Sequence, residues 1–311
     1  MNIEMPGKMR PGTYRFEVAP EQAGLRLDLF LAGTLNESGR SLIKRLIDIG
    51  GVHVDGRRIR RCSLPVSSGQ RIELNIDGFP LAPFQLDASR ILYHDCYLLA
   101  LDKPAGIPTQ PTPARYQGTL FAALQQFLGM SGSKGLGMVQ RLDRDTSGVM
   151  VFSIHARAHK ALTAAFAEHR VNKRYLALVS GVPATETGEM RSQLARRRAT
   201  NRMVSVERGG KPALTRYRVV APFGDVALVE VEIPTGRSHQ IRVHFSEAGH
   251  PLLGDTAYGG PGSCRGQTIH RQMLHASELI LDHPVSGGRL ELKSPLPADF
   301  QEIMKILTAS Q

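Results

Sequence analysis

The segment 140–148, with the sequence QRLDRDTSG, holds the residues whose types and spacing are best suited to chemistry. One carboxylate, Asp143, lies between Arg141 and Arg144, and a Thr-Ser-Gly turn follows. The next residues, 149–152, are all apolar and predict a buried strand. Rigid strands next to turns commonly hold catalytic groups, which makes Asp143 a candidate nucleophile or base. An ordinary surface loop with Arg–Asp ion pairs is the alternative, since such pairs are common.

Further motifs accompany this segment in a fixed order. They are LDKPAG at 101–106, NKRYLA at 172–177, TGRSHQIRVH at 235–244, GDTAYG at 254–259, RQMLHA at 271–276 and SPLP at 294–297. Together they resemble the signature motifs of the RluA-type RNA pseudouridine synthases. Gln140 and Ser238 depart from the family pattern, which has His and Thr there, but both keep a hydrogen-bonding group. Asp145 stands at the family's variable position, and we expect it to cap the Thr-Ser-Gly turn.

The resemblance implies an α+β catalytic domain that isomerises uridine within RNA and needs no metal or organic cofactor. Such an enzyme breaks the bond between uracil nitrogen and the anomeric sugar carbon, rotates the base and rejoins it through carbon five. By resemblance Asp143 is the catalytic residue. It can attack the anomeric carbon, remove a sugar proton to give a glycal-like intermediate, or attack the base, and the sequence leaves all three open.

Three more residues receive roles from the resemblance. Arg242, on a strand expected over 240–245, is predicted to pair with Asp143 and keep it an anion. Tyr175 is predicted to stack on the uracil and to transfer the proton lost from carbon five. Arg141 is predicted to occupy the place in the RNA stack that the target uridine leaves. Without the resemblance, Arg242 would be interpreted as a structural ion-pair partner and Tyr175 as a core aromatic residue.

Apolar periodicity predicts a small unit ahead of the catalytic domain. We expect an extended lead-in over 1–17, two helices and a hairpin over 18–80, a Pro- and Gly-containing linker, and the catalytic domain over 84–305. The helix–turn–helix–hairpin order resembles the S-four-like RNA-binding domain, first described in a ribosomal protein.

Basic residues concentrate on this unit and predict RNA contacts. They are Arg40, Lys44, Arg45, Arg57 and Arg58. A solvated basic face is the alternative. A second basic segment, with Arg196, Arg197, Arg198, Arg202 and Lys211, is interpreted equally well as a solvated loop or as a phosphate-tracking surface.

The composition of the chain limits the kinds of partner and cofactor that we expect it to bind. The 311 residues carry a formal charge of +11, which favours a polyanion, and no stretch approaches the roughly 20 apolar residues that span a bilayer. The chain has no phosphate-loop or dinucleotide motif and no apolar signal-peptide core at its start, so we expect a cytoplasmic location and no nucleotide cofactor. Its three cysteines predict free thiols. His239 and His244 are spaced unfavourably for a shared metal, and none is expected.

The sequence therefore predicts a monomeric uridine isomerase acting on RNA. Large-subunit ribosomal RNA is the preferred substrate, because the domain pairing is typical of the family's ribosomal members, and transfer RNA is second. The alternative from another class is a catalytically inactive RNA-binding or ribosome-assembly protein on the same fold.

Overall fold

A computed structural model describes residues 9–35, 39–130 and 135–309 of the chain. The chain divides into two units. The first combines Met1–Leu86 with Ile107–Gly132, and the second combines Asp87–Gly106 with Ser133–Gln311. In this division the segment 107–132 groups with the N-terminal unit, whereas we expected it in the catalytic domain.

The first unit is a small sheet with helices. Its elements are β1 (Gly12–Glu17), α1 (Leu27–Thr34), α2 (Arg40–Ile49), β2 (Val52–Val54), β3 (Arg57–Ile59), β4 (Arg71–Ile76) and α3 (Leu120–Phe127). The strands pair in the order β1-β4-β2-β3 within the described residues. The predicted helices and hairpin are present. Leu27, Phe30 and Leu31 of α1 and Leu42, Ile43, Leu46 and Ile47 of α2 are buried, whereas Leu25, which continues the first apolar pattern in the sequence, precedes α1 and is 40% exposed.

The lead-in predicted for residues 1–17 needs correction. Residues 1–8 lie outside the described part of the chain, but Gly12–Glu17 forms β1 and pairs antiparallel with β4 from Gly12–Ile76 to Glu17–Arg71. Only Tyr14 and Phe16 pack against the core from this strand. An edge strand with so few apolar residues gives a weak alternating pattern in the sequence. Pairing with β4, more than the sequence of β1 itself, determines that this segment is a strand.

An ion pair between the buried Arg115 and the half-buried Asp77 ties the segment 107–132 into the same unit. Arg115 donates from Nε to Asp77 Oδ2 and from Nη2 to Asp77 Oδ1, both at 2.6 Å. It also donates to the carbonyls of Pro80 and Phe79 at 3.2 and 3.3 Å. Asp77 and Pro80 are residues of the predicted linker, so the linker is held in a fixed conformation through this arginine.

The second unit contains a large mixed sheet. The strands of the unit are β5 (Ile91–His94), β6 (Leu98–Lys103), β7 (Gly137–Met138), β8 (Ser147–Ser153), β9 (Asn172–Ser180), β10 (Thr187–Arg197), β11 (Arg202–Val206), β12 (Lys211–Pro222), β13 (Val226–Glu232), β14 (Ser263–Cys264), β15 (Gln267–Thr268), β16 (Leu274–Asp282) and β17 (Arg289–Lys293). Of these, β14 and β15 form a separate two-stranded sheet. The helices of the unit are α4 (Ala156–Ala167), α5 (Gln240–Glu247) and α6 (Ala298–Ala309). As described, the main sheet runs β11-β10-β12-β13-β9-β16-β8-β6-β5, with β17 beside β16 and β7 beside β8. The unit is α+β, as predicted.

One row of paired residues crosses the middle of this sheet. Ala276 on β16 pairs with Tyr175 on β9 and with Gly148 on β8, and Gly148 pairs in turn with Lys103 on β6. Neighbouring strands lie about 4.8 Å apart, so four motifs that are distant in the sequence converge within a few strand widths. This row brings the strand after Asp143 close to Tyr175.

The strand predicted over 240–245 is instead the helix α5. Alternating Ile241, Val243 and Phe245 suggested a strand, because β-branched residues favour strands. All residues from Gln240 to Phe245 are buried, however, so no exposed face discloses the helical period. Val243 packs into a cluster with Leu194 of β10 and Ala213 of β12, so α5 covers one face of the sheet.

The three cysteines, Cys62, Cys96 and Cys264, are free. None of the described helices is both long and apolar enough to cross a membrane.

Gly148 is a point at which the central sheet tolerates no side chain. Its φ is +120°, and a Cβ built there would lie 2.2 Å from the backbone oxygen of Ala276. We therefore expect Gly148→Ala to lower the free energy of unfolding by at least about 2 kcal/mol, since it adds both backbone strain and a clash with backbone. Chemical denaturation followed by circular dichroism measures this change.

Gly262→Ala is the matched control in the same unit, because its added Cβ meets only Thr256 Cγ2 at 3.7 Å. Equal unfolding midpoints for Gly148→Ala and Gly262→Ala would contradict the close approach of β8 and β16.

Candidate active site

The guanidinium of Arg242 is shared between two carboxylates. Its Nε and Nη2 donate to Asp255 Oδ2 and Oδ1 at 2.6 and 2.8 Å, and its Nη1 donates to Asp143 Oδ2 at 3.0 Å. The fork-shaped bond to Asp255 fixes the plane of the guanidinium, because two parallel hydrogen bonds permit one orientation. Asp255 therefore determines where Arg242 holds Asp143.

Burial differs between the two carboxylates. The Asp255 side chain is 1% exposed, whereas the Asp143 side chain is 25% exposed and remains open to a ligand. Burial works against the charge on Arg242, but the hydrogen bonds and charges of Asp255 and Asp143 outweigh it and raise the pKa of Arg242 above its usual value. The Tyr258 ring also lies against Arg242, with its centroid 4.8 Å from the guanidinium carbon.

The first turn of α5 places Arg242. Gln240 makes four hydrogen bonds: Oε1 accepts from Thr235 Oγ1 and Arg237 N at 2.9 and 3.0 Å, and Nε2 donates to Leu214 O and Thr215 Oγ1 at 2.8 and 3.0 Å. This amide closes the loop that precedes the helix. The helix therefore begins at a fixed point, and Arg242 follows two residues later.

The turn after Asp143 is held by cations bound to its carbonyl oxygens. Lys103 Nζ donates to Arg144 O and Thr146 O, both at 2.8 Å, and to Pro104 O at 3.0 Å. Arg271 Nη1 donates to Asp145 O at 3.1 Å, while its Nε and Nη2 bind Asp299. Three successive carbonyls thus face buried positive charge, which fixes the backbone on which Asp143 stands.

Lys103 is fully buried. Burial lowers its pKa to about 7, against the attraction of Asp145 and Asp143. Its three carbonyl acceptors match the three N–H groups of an ammonium, whereas a neutral amine could satisfy only two of them. The geometry thus favours the charged form.

Tyr175 lies on β9 and is 7% exposed. Burial, followed by the charge of Asp143, raises its pKa well above the usual value of a tyrosine, so the side chain is a neutral phenol near pH 7. Tyr175 pairs with Ala276, which also pairs with Gly148 on the strand that follows Asp143, so Tyr175 lies about two strand widths from that strand. Asp143 and Arg242, predicted from separate motifs, are in direct contact, and the sheet brings Tyr175 to the same region.

The remaining predicted residues are on the surface. Arg141 is exposed beside Asp143 in the second unit. On the first unit Lys44, Arg45 and Arg57 are exposed, but two of the predicted RNA-binding arginines have protein partners. Arg40 binds the fully buried Asp28 at 3.0 Å, a carboxylate that Arg26 also binds, and Arg58 donates to the carbonyl of Thr112.

Asp145 differs from its predicted role. Its carboxylate accepts from Arg144 Nε and Nη2 at 2.9 and 2.6 Å. The turn is closed by the backbone instead, since Thr146 N donates to Asp143 O at 3.2 Å. A neighbouring guanidinium competes successfully with backbone N–H groups for a carboxylate, and the spacing of residues could not disclose that choice.

Sequence analysis missed six supporting residues, each of which lies in a motif that was recognised but received no role. They are Lys103, His239, Gln240, Asp255, Tyr258 and Arg271. Asp255 had the clearest signal, because an acidic residue directly after a glycine in a motif suggests a fixed carboxylate. No group of three or more His, Cys, Asp or Glu side chains in the described ranges is arranged to hold a metal ion.

The family model for RNA pseudouridylate synthase matches residues 97–247. An uncharacterised RNA pseudouridine synthase from Chloroflexus aurantiacus is 40% identical over 299 residues, covering 93% of this chain and 92% of the relative. The ribosomal large subunit pseudouridine synthase D of Zymomonas mobilis is 34% identical over 316 residues, covering 96% and 98% of the two chains.

A solved structure gives the same result. The human RNA pseudouridylate synthase domain containing 4 is 27% identical, covers 71% of this chain and 93% of its own, and superposes with a TM-score of 0.59. The similarity extends over nearly the whole length of the bacterial relatives. The chain therefore belongs to the RluA-type RNA pseudouridine synthases, isomerases that act on uridine in RNA.

Proposed function

We propose that this enzyme isomerises uridine in large-subunit ribosomal RNA, with Asp143 as the catalytic residue. The observation that supports the proposal most strongly is that Arg242 binds only one of the two carboxylate oxygens of Asp143. Its Oδ2 is bound by Arg242 at 3.0 Å, while the side chain is one-quarter exposed. A carboxylate held by one oxygen, with its anion stabilised by a fixed cation, is prepared to act through the other oxygen.

The reaction leaves the atoms of the nucleotide unchanged in number. The bond from uracil nitrogen one to the anomeric carbon breaks, a bond from carbon five to the same carbon forms, and the proton leaves carbon five and is regained at nitrogen one. Asp143 acts on the first step, on the anomeric carbon, on a sugar proton or on the base. All three routes need an anionic carboxylate, which Arg242 maintains.

Tyr175 serves the base. A buried aromatic ring near Asp143 offers a stacking surface for uracil, whose release from the RNA stack costs a few kcal/mol. Because its pKa is raised, Tyr175 enters the reaction as a phenol. Tyr175 can then accept the proton from carbon five only if the phenol gives up its own proton at the same time.

The alternative of an inactive RNA-binding protein has less support. A protein that only binds RNA has no need of a partly exposed carboxylate beside a buried ion pair, and such pairs are costly to desolvate. Retention of Asp143, Arg242, Asp255 and Tyr175 in one site favours catalysis.

Asp143→Asn is expected to lower turnover by more than about 10³-fold, because it removes the charge of the reacting group while nearly preserving its shape. Release of tritium from RNA labelled at uracil carbon five measures the reaction directly. Asp145→Asn is the matched control, since it changes a carboxylate two residues away that is bound to Arg144. Turnover of Asp143→Asn comparable to that of Asp145→Asn would refute the assignment.

The substrate class is tested with two purified RNAs. The Pseudomonas aeruginosa protein named ribosomal large subunit pseudouridine synthase D is 36% identical over 305 residues, and this supports ribosomal RNA. We expect tritium release from large-subunit ribosomal RNA to be at least about tenfold faster in kcat/KM than from unfractionated transfer RNA, a difference of about 1.4 kcal/mol in transition-state binding. The opposite preference would transfer the proposal to transfer RNA.

The exposed basic residues of the first unit are proposed to contact RNA phosphates. Replacing Lys44, Arg45 and Arg57 together by Ala should weaken RNA affinity and reduce the dependence of log Kd on log salt by up to about 0.9 for each lost duplex-phosphate contact. Turnover at saturating RNA should change little, because these residues lie in the unit without Asp143. Fluorescence anisotropy over a salt series gives the slope.

A charge-matched control removes three exposed basic residues of the second unit, namely Lys160, Arg289 and Lys305. If both triple variants lose affinity and salt dependence equally, the effect is one of net charge, and the first unit is not a dedicated RNA-contact surface.

A further inference from the structure

His239 lies beside Asp143 in a constrained position. It is the residue immediately before α5 and has a left-handed backbone, with φ at 54°. Its Nε2 is 3.8 Å from Asp143 Oδ2, the oxygen that Arg242 also binds. A left-handed conformation at a residue with a Cβ is retained only when the surrounding structure determines it. Gln240, which closes the preceding loop, supplies that constraint.

A chain of hydrogen bonds determines where the imidazole carries its proton. Met203 N donates to the hydroxyl oxygen of Tyr258 at 3.1 Å, and this hydroxyl lies 2.8 Å from His239 Nδ1. The oxygen can accept from Met203 and still donate its own hydrogen, for which Nδ1 is the acceptor that the described residues offer. A ring nitrogen that accepts carries no proton, which assigns the proton of the neutral ring to Nε2.

The charges around the ring agree with this neutral form. Burial is the largest influence and lowers the pKa of His239. Asp143 and Asp255 oppose the shift, whereas Arg242 and Arg196 add to it. In an imidazolium, Nδ1 would carry a proton and could no longer accept a hydrogen bond. The Tyr258 hydroxyl would then lose the acceptor for its hydrogen. The ring therefore faces Asp143 as an uncharged N–H donor.

We infer that His239 is a positioning residue for Asp143, one whose Nε2–H, oriented by Tyr258, holds Oδ2 together with Arg242 and leaves Oδ1 as the reacting oxygen. The inference rests on the proposed role of Asp143. At 3.8 Å the donor is beyond hydrogen-bond distance, but hydrogen bonds in enzymes without substrate are often long and tighten when substrate binds. A neutral donor orients the carboxylate without cancelling its charge, which a second cation would do.

Three variants separate this role from a merely structural one. His239→Ala removes the donor, His239→Gln restores an amide N–H near the Nε2 position, and Tyr258→Phe removes only the hydroxyl while keeping the ring against Arg242. We expect kcat at saturating RNA to fall roughly tenfold in His239→Ala, with KM within about twofold. The loss is smaller than the roughly 10²–10³-fold seen when a full oxyanion donor is removed, because the contact is longer. His239→Gln should recover most of it.

Tyr258→Phe is expected to change the pH profile. Without the hydroxyl that donates to Nδ1, the ring protonates more readily under the attraction of Asp143 and Asp255, opposed by Arg242 and Arg196. The acid limb of kcat should therefore move to higher pH. Nitrogen-15 spectra of labelled histidine should show His239 with a proton on Nε2 alone in the wild-type protein, assigned by its disappearance in His239→Gln.

His250→Gln is the matched control. It also replaces a half-buried histidine with one hydrogen bond, from the ring to the carbonyl of Ser180 at 3.0 Å, but it does not face Asp143. All variants are compared by thermal unfolding, so that misfolding is distinguished from a change in kcat. His239→Gln, the conservative change, carries the test if His239→Ala unfolds.

The outcomes are distinguishable. Wild-type kcat and an unmoved pH profile in the His239 and Tyr258 variants, with Asp143→Asn inactive, would overturn this inference and leave the proposed function intact. The same holds if the wild-type spectra show a proton on Nδ1. An active Asp143→Asn would instead remove the proposed function on which the inference depends.

Discussion

The sharing of one guanidinium between a buried and a partly exposed carboxylate is the constraint on which the site depends. Asp255 takes two of the donors of Arg242 and leaves Nη1 for Asp143. If Asp255 were absent, the arginine could turn its whole fork towards Asp143 and occupy both oxygens. The buried pair thus keeps Arg242 charged and also limits its contact with Asp143 to one hydrogen bond. Tyr258 joins the same arrangement, with its ring on Arg242 and its hydroxyl on His239.

A second constraint acts on the backbone. Lys103 and Arg271 bind carbonyl oxygens of the turn at residues 144–146, so the turn is held by side chains from β6 and from the segment before β16. Main-chain carbonyls in an irregular turn lack the partners that a helix or strand provides, and burying them unpaired is costly. Cationic side chains supply these partners and simultaneously place positive charge beneath Asp143.

Much of this could be predicted from the sequence, and the reasons for success and failure are physical. The α+β class followed from motif resemblance, and the helices α1 and α2 followed from apolar periodicity, because each has one exposed face. The strand predicted over 240–245 was wrong because α5 is buried on every side through Phe245, which removes the periodic signal. Lys103 and Arg271 bind carbonyl oxygens of the distant turn at residues 144–146, and Gln240 binds the carbonyl oxygen of Leu214. Backbone acceptors have no sequence identity, so no pattern of residues could disclose them.

The position of β16 has a consequence for biosynthesis. This strand lies between β9, which carries Tyr175, and β8, which follows Asp143, and Ala276 pairs with both neighbours. Residues 143 and 175 leave the ribosome well before residues 274–282, yet their strands cannot be joined until that later segment is available. Non-local pairing of this kind is slow and completes only when a unit is nearly whole. A nascent chain emerging from the ribosome, itself built of RNA, therefore lacks an assembled site until synthesis has passed β16.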